Sequence, residues 1–312
     1  MRALSRGMTW VEAGGNRAEA LIQELYSNSE SSRAHHSWVH TVGVTGPAGA
    51  GKSTLVAALA KEARKQGLTV GILAVDPSSP FTGGAILGDR VRMGDLSGDP
   101  GVYIRSMAAR GELGGLCQAV SGGVDLLCAA GKQLVLIETV GVGQDEVDVM
   151  RVAHTTVLVS VPGLGDDVQM MKAGLFEIAD IHVVNKADRE GSGETISQIQ
   201  AMLALNADHA HDPAKRWQVP VLPVVAIRGE GAAALFDAIR AHSDHLKKGG
   251  ELAVRERRMA EARVLKLAQA MVADTLRRPN ADAAANQELE RVARRELSPY
   301  SCARTLLQHA RD

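Results

Sequence analysis

Gly46-Pro47-Ala48-Gly49-Ala50-Gly51-Lys52-Ser53-Thr54 is a glycine-rich segment that sets the architecture of everything around it. An apolar run from Trp38 to Thr45 precedes it and reads as a buried strand. Leu55 to Arg64, rich in Ala, Leu and Lys, follows it and reads as a helix. Gly46, Gly51, Lys52 and Ser53 fit the spacing G-x-x-x-x-G-K-[ST] between that strand and that helix, where backbone N–H groups and a helix N-terminus surround phosphate oxygens. Glycines let the backbone approach phosphate closely and adopt dihedrals that a Cβ forbids. Lys52 supplies a point charge for the β- and γ-phosphates and Ser53 a hydroxyl for Mg²⁺, while Ala48, Gly49, Ala50 and Thr54 complete the cradle. The loop is expected at the surface.

Outward from the loop, strands are predicted at Val39–Thr45, Leu68–Val75, Val102–Arg105, Leu134–Glu138, Thr155–Val161, Ile181–Asn185 and Val221–Val225. Helices fall between most of them, including Leu113–Ala130, Gln169–Phe176 and Thr195–Leu205. Near-continuous Val/Ile/Leu strands alternating with helices predict an α/β fold: a P-loop NTPase whose mostly parallel sheet is covered by helices and binds ligands at its carboxyl ends.

Three parts are expected. Residues 1–37 form an N-terminal helical arm, with one helix at Arg17–Tyr26 and a Ser/Asn/His-rich linker from Ser27 to Ser37, loosely attached. Residues 38–248 form the nucleotide domain, closed by a helix at Ala232–Lys248 and Gly249-Gly250. Residues 249–312 form a C-terminal helical extension, with a long amphipathic stretch at Glu251–Arg278 carrying Leu252, Met259, Val264, Leu267, Met271 and Leu276 roughly on one stripe. Two shorter helices, divided near Ser298-Pro299, fill Asn280 to Ala310. An apolar face that the sheet domain leaves uncovered predicts subunit contact, and packing against its own domain is the alternative.

The 312 residues, 45% of them hydrophobic, are enough for a substantial core. A net charge of -1 points to neither a nucleic-acid nor an anionic-membrane partner. No apolar run is long enough to span a bilayer, and Met1 to Gly15 lacks the apolar segment of a secretory signal, so a cytoplasmic protein is expected. Cys117, Cys128 and Cys302 lie too far apart for a C-x-x-C site and read as reduced thiols. His35, His36 and His40, like His209 and His211, fall in polar sequence and read as solvated side chains.

Further site residues fall at strand ends. Asp76 follows the second strand and Asp89 lies in the glycine-rich loop after it; either carboxylate could hold Mg²⁺ directly or through water, and either alone reads as a turn aspartate. Glu138 ends the apolar run Leu134–Ile137 and is the expected second Mg²⁺ partner, while Gly141 can present an amide to the γ-phosphate and act as a hinge. Asn185-Lys186-Ala187-Asp188 follows the sixth strand. The Asp188 carboxylate can accept from guanine N1–H and the exocyclic amine, groups that adenine does not offer, so GTP and GDP are favoured over adenine nucleotides.

Taken together, Gly46–Thr54, Asp76–Pro80, Gly83–Arg90, Glu138–Gln144 and Asn185–Asp188 resemble the MeaB/ArgK/MMAA family of SIMIBI-class GTPases, from about residue 38 to residue 248 and less specifically beyond. The resemblance implies a homodimer that assists an adenosylcobalamin-dependent acyl-CoA mutase, gating cofactor delivery and protecting the mutase. It implies that Lys52 and Ser53 contact phosphate and Mg²⁺, with Asp76, Asp89 and Glu138 around the metal. It also marks Asp166, Gln169 and Lys172 as polar positions of an additional switch through which the mutase alters hydrolysis; without it they read as a helix N-terminus with a solvated face. Val225 and Ala226 stand where the family usually has a Ser-Ala base loop, so a backbone N–H is expected to replace a side-chain contact to guanine. The N-terminal arm is not a close match.

The function so predicted is a regulatory GTPase, slow without its partner because no residue stands out as a general base, with Lys52, Glu138 and Asp89 nearest the chemistry. Competing readings are a P-loop kinase passing the γ-phosphate to a small molecule or transport protein, and a metal-insertion GTPase using His209 and His211.

Overall fold

The computed structural model describes residues 2–27, 39–77, 94–96, 98–109, 115–139, 151–163, 175–207, 217–277 and 283–309. Seven strands form one parallel sheet: β1 (His40–Thr45), β2 (Val70–Pro77), β3 (Val102–Ala109), β4 (Leu134–Thr139), β5 (Thr155–Ser160), β6 (Ile181–Asn185) and β7 (Val221–Val224), in the order β3-β2-β4-β1-β5-β6-β7. β1 is central, its Val44 level with Glu138 of β4 and its Val42 with Thr155 of β5. Every residue of β1, β4, β5 and β6 is buried, as the apolar runs require of strands covered on both faces.

The period of two sorts the strand side chains between the faces. Val42, Val44, Leu134, Leu136, Val157 and Val159 pack against α3 (Lys52–Lys65) and a later helix, Ala232–Lys248. Leu73, Val75, Val135 and Ile137 pack on the opposite side against α4 (Gly115–Ala129). Leu158 and Val184 share that side with α5 (Leu175–Ile178) and α6 (Ser192–Ala207), through Phe176 and Ile199.

The N-terminal arm is not loosely attached. Two helices, α1 (Arg2–Ala13) and α2 (Asn16–Ser27), occupy it, where one was expected. Met8 is fully buried and Val11 nearly so, both within the cluster built by α4 and β2. A Cβ on Gly122 of α4 would lie 2.6 Å from Val11 Cγ1, so the small residue allows the close approach of α1. Arg105 of β3 adds an ion pair to Glu12.

His40 is likewise a core residue of β1 and not a solvated histidine: it is stacked on His154, and burial pulls its pKa well below the usual value. Cys128 and Cys302 are free thiols.

The chain divides by its contacts into Met1–Met259 and Ala260–Asp312. The second unit holds the later turns of α8 (Glu251–Arg277), which follows α7 (Ala232–Lys248), together with α9 (Ala283–Ala293) and α10 (Pro299–His309). Cys302 and Leu306 are buried there, while Val264, Leu265, Met271, Leu289 and Tyr300 are exposed. No helix among the described residues is long and apolar enough to cross a membrane.

Candidate nucleotide site

β1 ends at Thr45, and the chain turns through Gly46–Gly51 into α3, whose first residue is Lys52. Two glycines are obligatory. Gly46 has φ 146°, and a Cβ there would lie 2.2 Å from the Val159 carbonyl oxygen; Gly51 has φ 86°, and a Cβ there would lie 2.5 Å from Asn185 Nδ2. The loop is therefore pressed between β5 and the end of β6.

Ala48 and Gly49 at the tip of the loop are exposed, whereas Lys52 and Ser53 at the start of α3 are buried. The Lys52 ammonium donates to the carbonyls of Gly46 at 2.7 Å and Pro47 at 2.9 Å, so the loop's own backbone holds the charge over the cradle. Ser53 Oγ donates to Glu138 Oε1 at 2.5 Å. Glu138 is buried at the end of β4, level with Val44 of β1 and Ala74 of β2. The adjoining Thr139 hydroxyl meets that of Thr45 at 3.1 Å, tying the ends of β4 and β1 together.

On the other side, Asn185 is nearly fully buried. Its Nδ2 donates to Ala50 O at 2.7 Å, and its Oδ1 accepts from Ala226 N at 3.1 Å. One amide thus stitches the phosphate loop to the turn after β7. Lys186, at φ 56°, extends Nζ to Gly49 O at 2.8 Å. Asp188 remains partly exposed, and its Oδ2 accepts from Arg228 Nη1 at 3.1 Å.

The structure brings together Gly46, Ala48, Gly49, Ala50, Gly51, Lys52, Ser53, Thr54, Glu138, Asn185, Lys186, Asp188, Val225 and Ala226 at the carboxyl ends of the strands. Asp76 is the next-to-last residue of β2, in register with Ala108 of β3. Asp89, Gly141, Asp166, Gln169 and Lys172 lie outside the described residues, as do His209 and His211. The expected backbone donors of Val225 and Ala226 are engaged within the protein: Val225 N donates to Glu230 O at 3.0 Å and Ala226 N to Asn185 Oδ1. Asn185 and Lys186 bond to the loops around them. Sequence reading missed Arg228 and Glu230, whose only signal was their place just after the base loop.

Known proteins resemble this chain over nearly its whole length. The family model "Methylmalonyl Co-A mutase-associated GTPase MeaB" matches residues 4–281, so the likeness begins within α1 and includes the N-terminal helices. A protein named as a GTPase from Pyrococcus abyssi is 44% identical over 307 residues, covering 98% of this chain and 92% of that protein. The mitochondrial methylmalonic aciduria type A homolog of Mus musculus is 35% identical over 262 residues, 81% of this chain and 62% of that protein. A crystal structure titled LAO/AO transport system kinase superposes with a TM-score of 0.69 at 27% identity, covering 99% of this chain and 93% of that one.

Proposed function

The chain belongs to the MeaB family of methylmalonyl Co-A mutase-associated GTPases, and from that premise we propose that its GTP hydrolysis serves an adenosylcobalamin-dependent acyl-CoA mutase, gating cofactor loading and protecting the loaded enzyme. The observation that carries the hydrolytic part is the joining of Lys52, the Ser53–Glu138 pair and the Asn185–Asp188 loop at one end of the sheet. The family's description and the mouse relative's name carry the mutase part.

In this reading Lys52 turns from the Gly46 and Pro47 carbonyls to the β- and γ-phosphate oxygens. A hydroxyl and a carboxylate held against each other are hard oxygen donors of the kind Mg²⁺ takes, so Ser53 and Glu138 fit that ion, with Asp76 and Asp89 as further candidates. Bound there, Mg²⁺ neutralises charge on the β- and γ-phosphates. Asn185 keeps the phosphate loop in register with the base-binding turn, and Asp188 reads the guanine edge. Gly141 is the γ-phosphate sensor, and Asp166, Gln169 and Lys172 carry the signal to the mutase. Hydrolysis is slow until the mutase binds, in keeping with the lack of a side chain placed as a general base among the described residues.

The active form is a cytoplasmic homodimer, neither nucleic-acid- nor membrane-bound, joined through exposed apolar side chains of α8 to α10 such as Met271 and Leu289. Chromatography of the chain mixed with a purified apo-mutase, in GTP and in GDP, tests the reading. A nucleotide-dependent complex supports it; no complex with any mutase of this class in either nucleotide removes the chaperone role.

A further inference from the structure

We propose that Arg228 is a positioning residue for guanine recognition, holding the Asp188 carboxylate in the plane in which it meets the base. The inference rests on the reading of Asp188 as the guanine-binding carboxylate, and it assigns the specificity of that contact to a second loop.

Arg228 ends the single 3-10 turn Ala226–Arg228 after β7. The turn is closed by Val225 N on Glu230 O and by Arg228 N on Val225 O, both at 3.0 Å. The guanidinium is gripped from behind by Glu230, with Nε on Oε1 at 2.6 Å and Nη2 on Oε2 at 3.3 Å. A planar fork pinned on one edge has little freedom on the other, and the remaining edge presents Nη1 to Asp188 Oδ2 at 3.1 Å. Asp188, Arg228 and Glu230 form a chain of alternating charge that crosses from the loop after β6 to the loop after β7. Asn185 joins the same two loops on the buried side through Ala226 N. The base-reading carboxylate is thus held by a rigid partner and does not swing freely on its χ angles.

The hydrogen-bond count allows all partners at once. A carboxylate offers about four lone-pair sites. Guanine N1–H and the exocyclic amine take two, one on each oxygen, and Arg228 takes a third. A carboxylate aligned beforehand meets both guanine donors without losing rotational freedom at the moment of binding. Inosine lacks the exocyclic amine and needs only one of the two contacts. Alignment therefore matters more for GTP than for ITP.

The test is calorimetric binding of GTP and ITP to the full chain, wild type and Arg228→Ala, with Glu230→Gln as the variant that keeps the arginine and loosens its grip. The pair is half-exposed, so the expected loss of GTP affinity in Arg228→Ala is about three- to tenfold. ITP affinity should fall less, so the preference for GTP over ITP shrinks; Glu230→Gln should fall between wild type and Arg228→Ala, with unchanged melting temperature. Equal loss for both nucleotides, or none, overturns the positioning role. Asp188→Asn, assayed with GTP and xanthosine triphosphate, separates the two levels. If that variant moves its preference to xanthosine triphosphate while Arg228→Ala leaves the GTP/ITP ratio untouched, only the proposal for Arg228 fails. If Asp188→Asn shows no such move, the guanine reading of Asp188 fails and takes the proposal with it.

Discussion

Ser53 Oγ lies 2.5 Å from Glu138 Oε1, the two residues separated by 85 positions and brought together because β4 is the hydrogen-bonded neighbour of β1. The pair gathers two oxygen donors beside the phosphate loop. Ser53→Ala and Glu138→Gln should therefore lower GTP turnover by at least about tenfold and raise the Mg²⁺ concentration at half-maximal rate, and chelation should abolish wild-type turnover. Turnover followed across a Mg²⁺ titration checks this; an unaltered Mg²⁺ dependence in both variants would remove the pair from the metal site.

Lys52→Ala should reduce GTP affinity by about 10- to 100-fold, the loss of one hydrogen bond to charged oxygens at roughly 1.5–3 kcal/mol. The fold should persist, because the lost partners are the carbonyls of Gly46 and Pro47 at the loop. Calorimetric titration together with a thermal melt separates the two effects. Unchanged GTP binding would overturn the site.

Met8→Ala should destabilise the chain by about 2–5 kcal/mol, the usual cost of hollowing a core. Met8 is fully buried in the cluster shared by α1, α4 and β2. Denaturant unfolding measures it. A cost near zero would return α1 to the status of a detachable arm.

Stability should fall as pH drops below about 6.5, the ordinary histidine value. Burial first, then the charges of Arg255 and His242, depress the His154 pKa to about 4. Burial depresses that of His242 to about 4 as well, with Arg255 and His245 adding to it and Asp180 opposing. His40 is lowered by burial, His154, His242, Lys247 and Arg255. Geometry explains why the neutral forms suit the site. His40 Nε2 meets Thr155 Oγ1 at 2.7 Å, Thr155 Oγ1 meets His242 Nδ1 at 2.8 Å, and His242 Nε2 lies 3.3 Å from Asp180 Oδ1, a carboxylate already bound by Arg255. Between about pH 4 and 6.5 the unfolded chain binds more protons at these histidines than the folded one, so stability declines as pH falls through that window. Melting temperature from pH 7.5 to 5 should fall by roughly 5 °C or more, and His154→Gln should flatten the slope. An equal slope in that variant would contradict the assignment.

Much of this architecture was legible because its signals are local. Gly46–Thr54 carries strand, loop and helix within one stretch, and the Val/Ile/Leu runs announce strands buried on both faces, which the sheet confirms. Other features depend on partners far along the chain. The buried face of α1 is short and becomes visible only beside Gly122 of α4. His40 looked solvated beside His35 and His36, yet Thr155 and His154 make it a core residue. The Arg228–Asp188 pair joins two loops 40 residues apart, and no spacing rule predicts it.

Whether the GTPase rate answers to a mutase is decided by GTP turnover, with ATP as control, by the purified chain alone and with a panel of adenosylcobalamin-dependent acyl-CoA apo-mutases. Slow, GTP-selective hydrolysis that rises with one mutase is expected. Turnover indifferent to every mutase would contradict the chaperone role, and ATP hydrolysed as fast as GTP, or phosphate delivered to an acceptor other than water, would return the kinase reading.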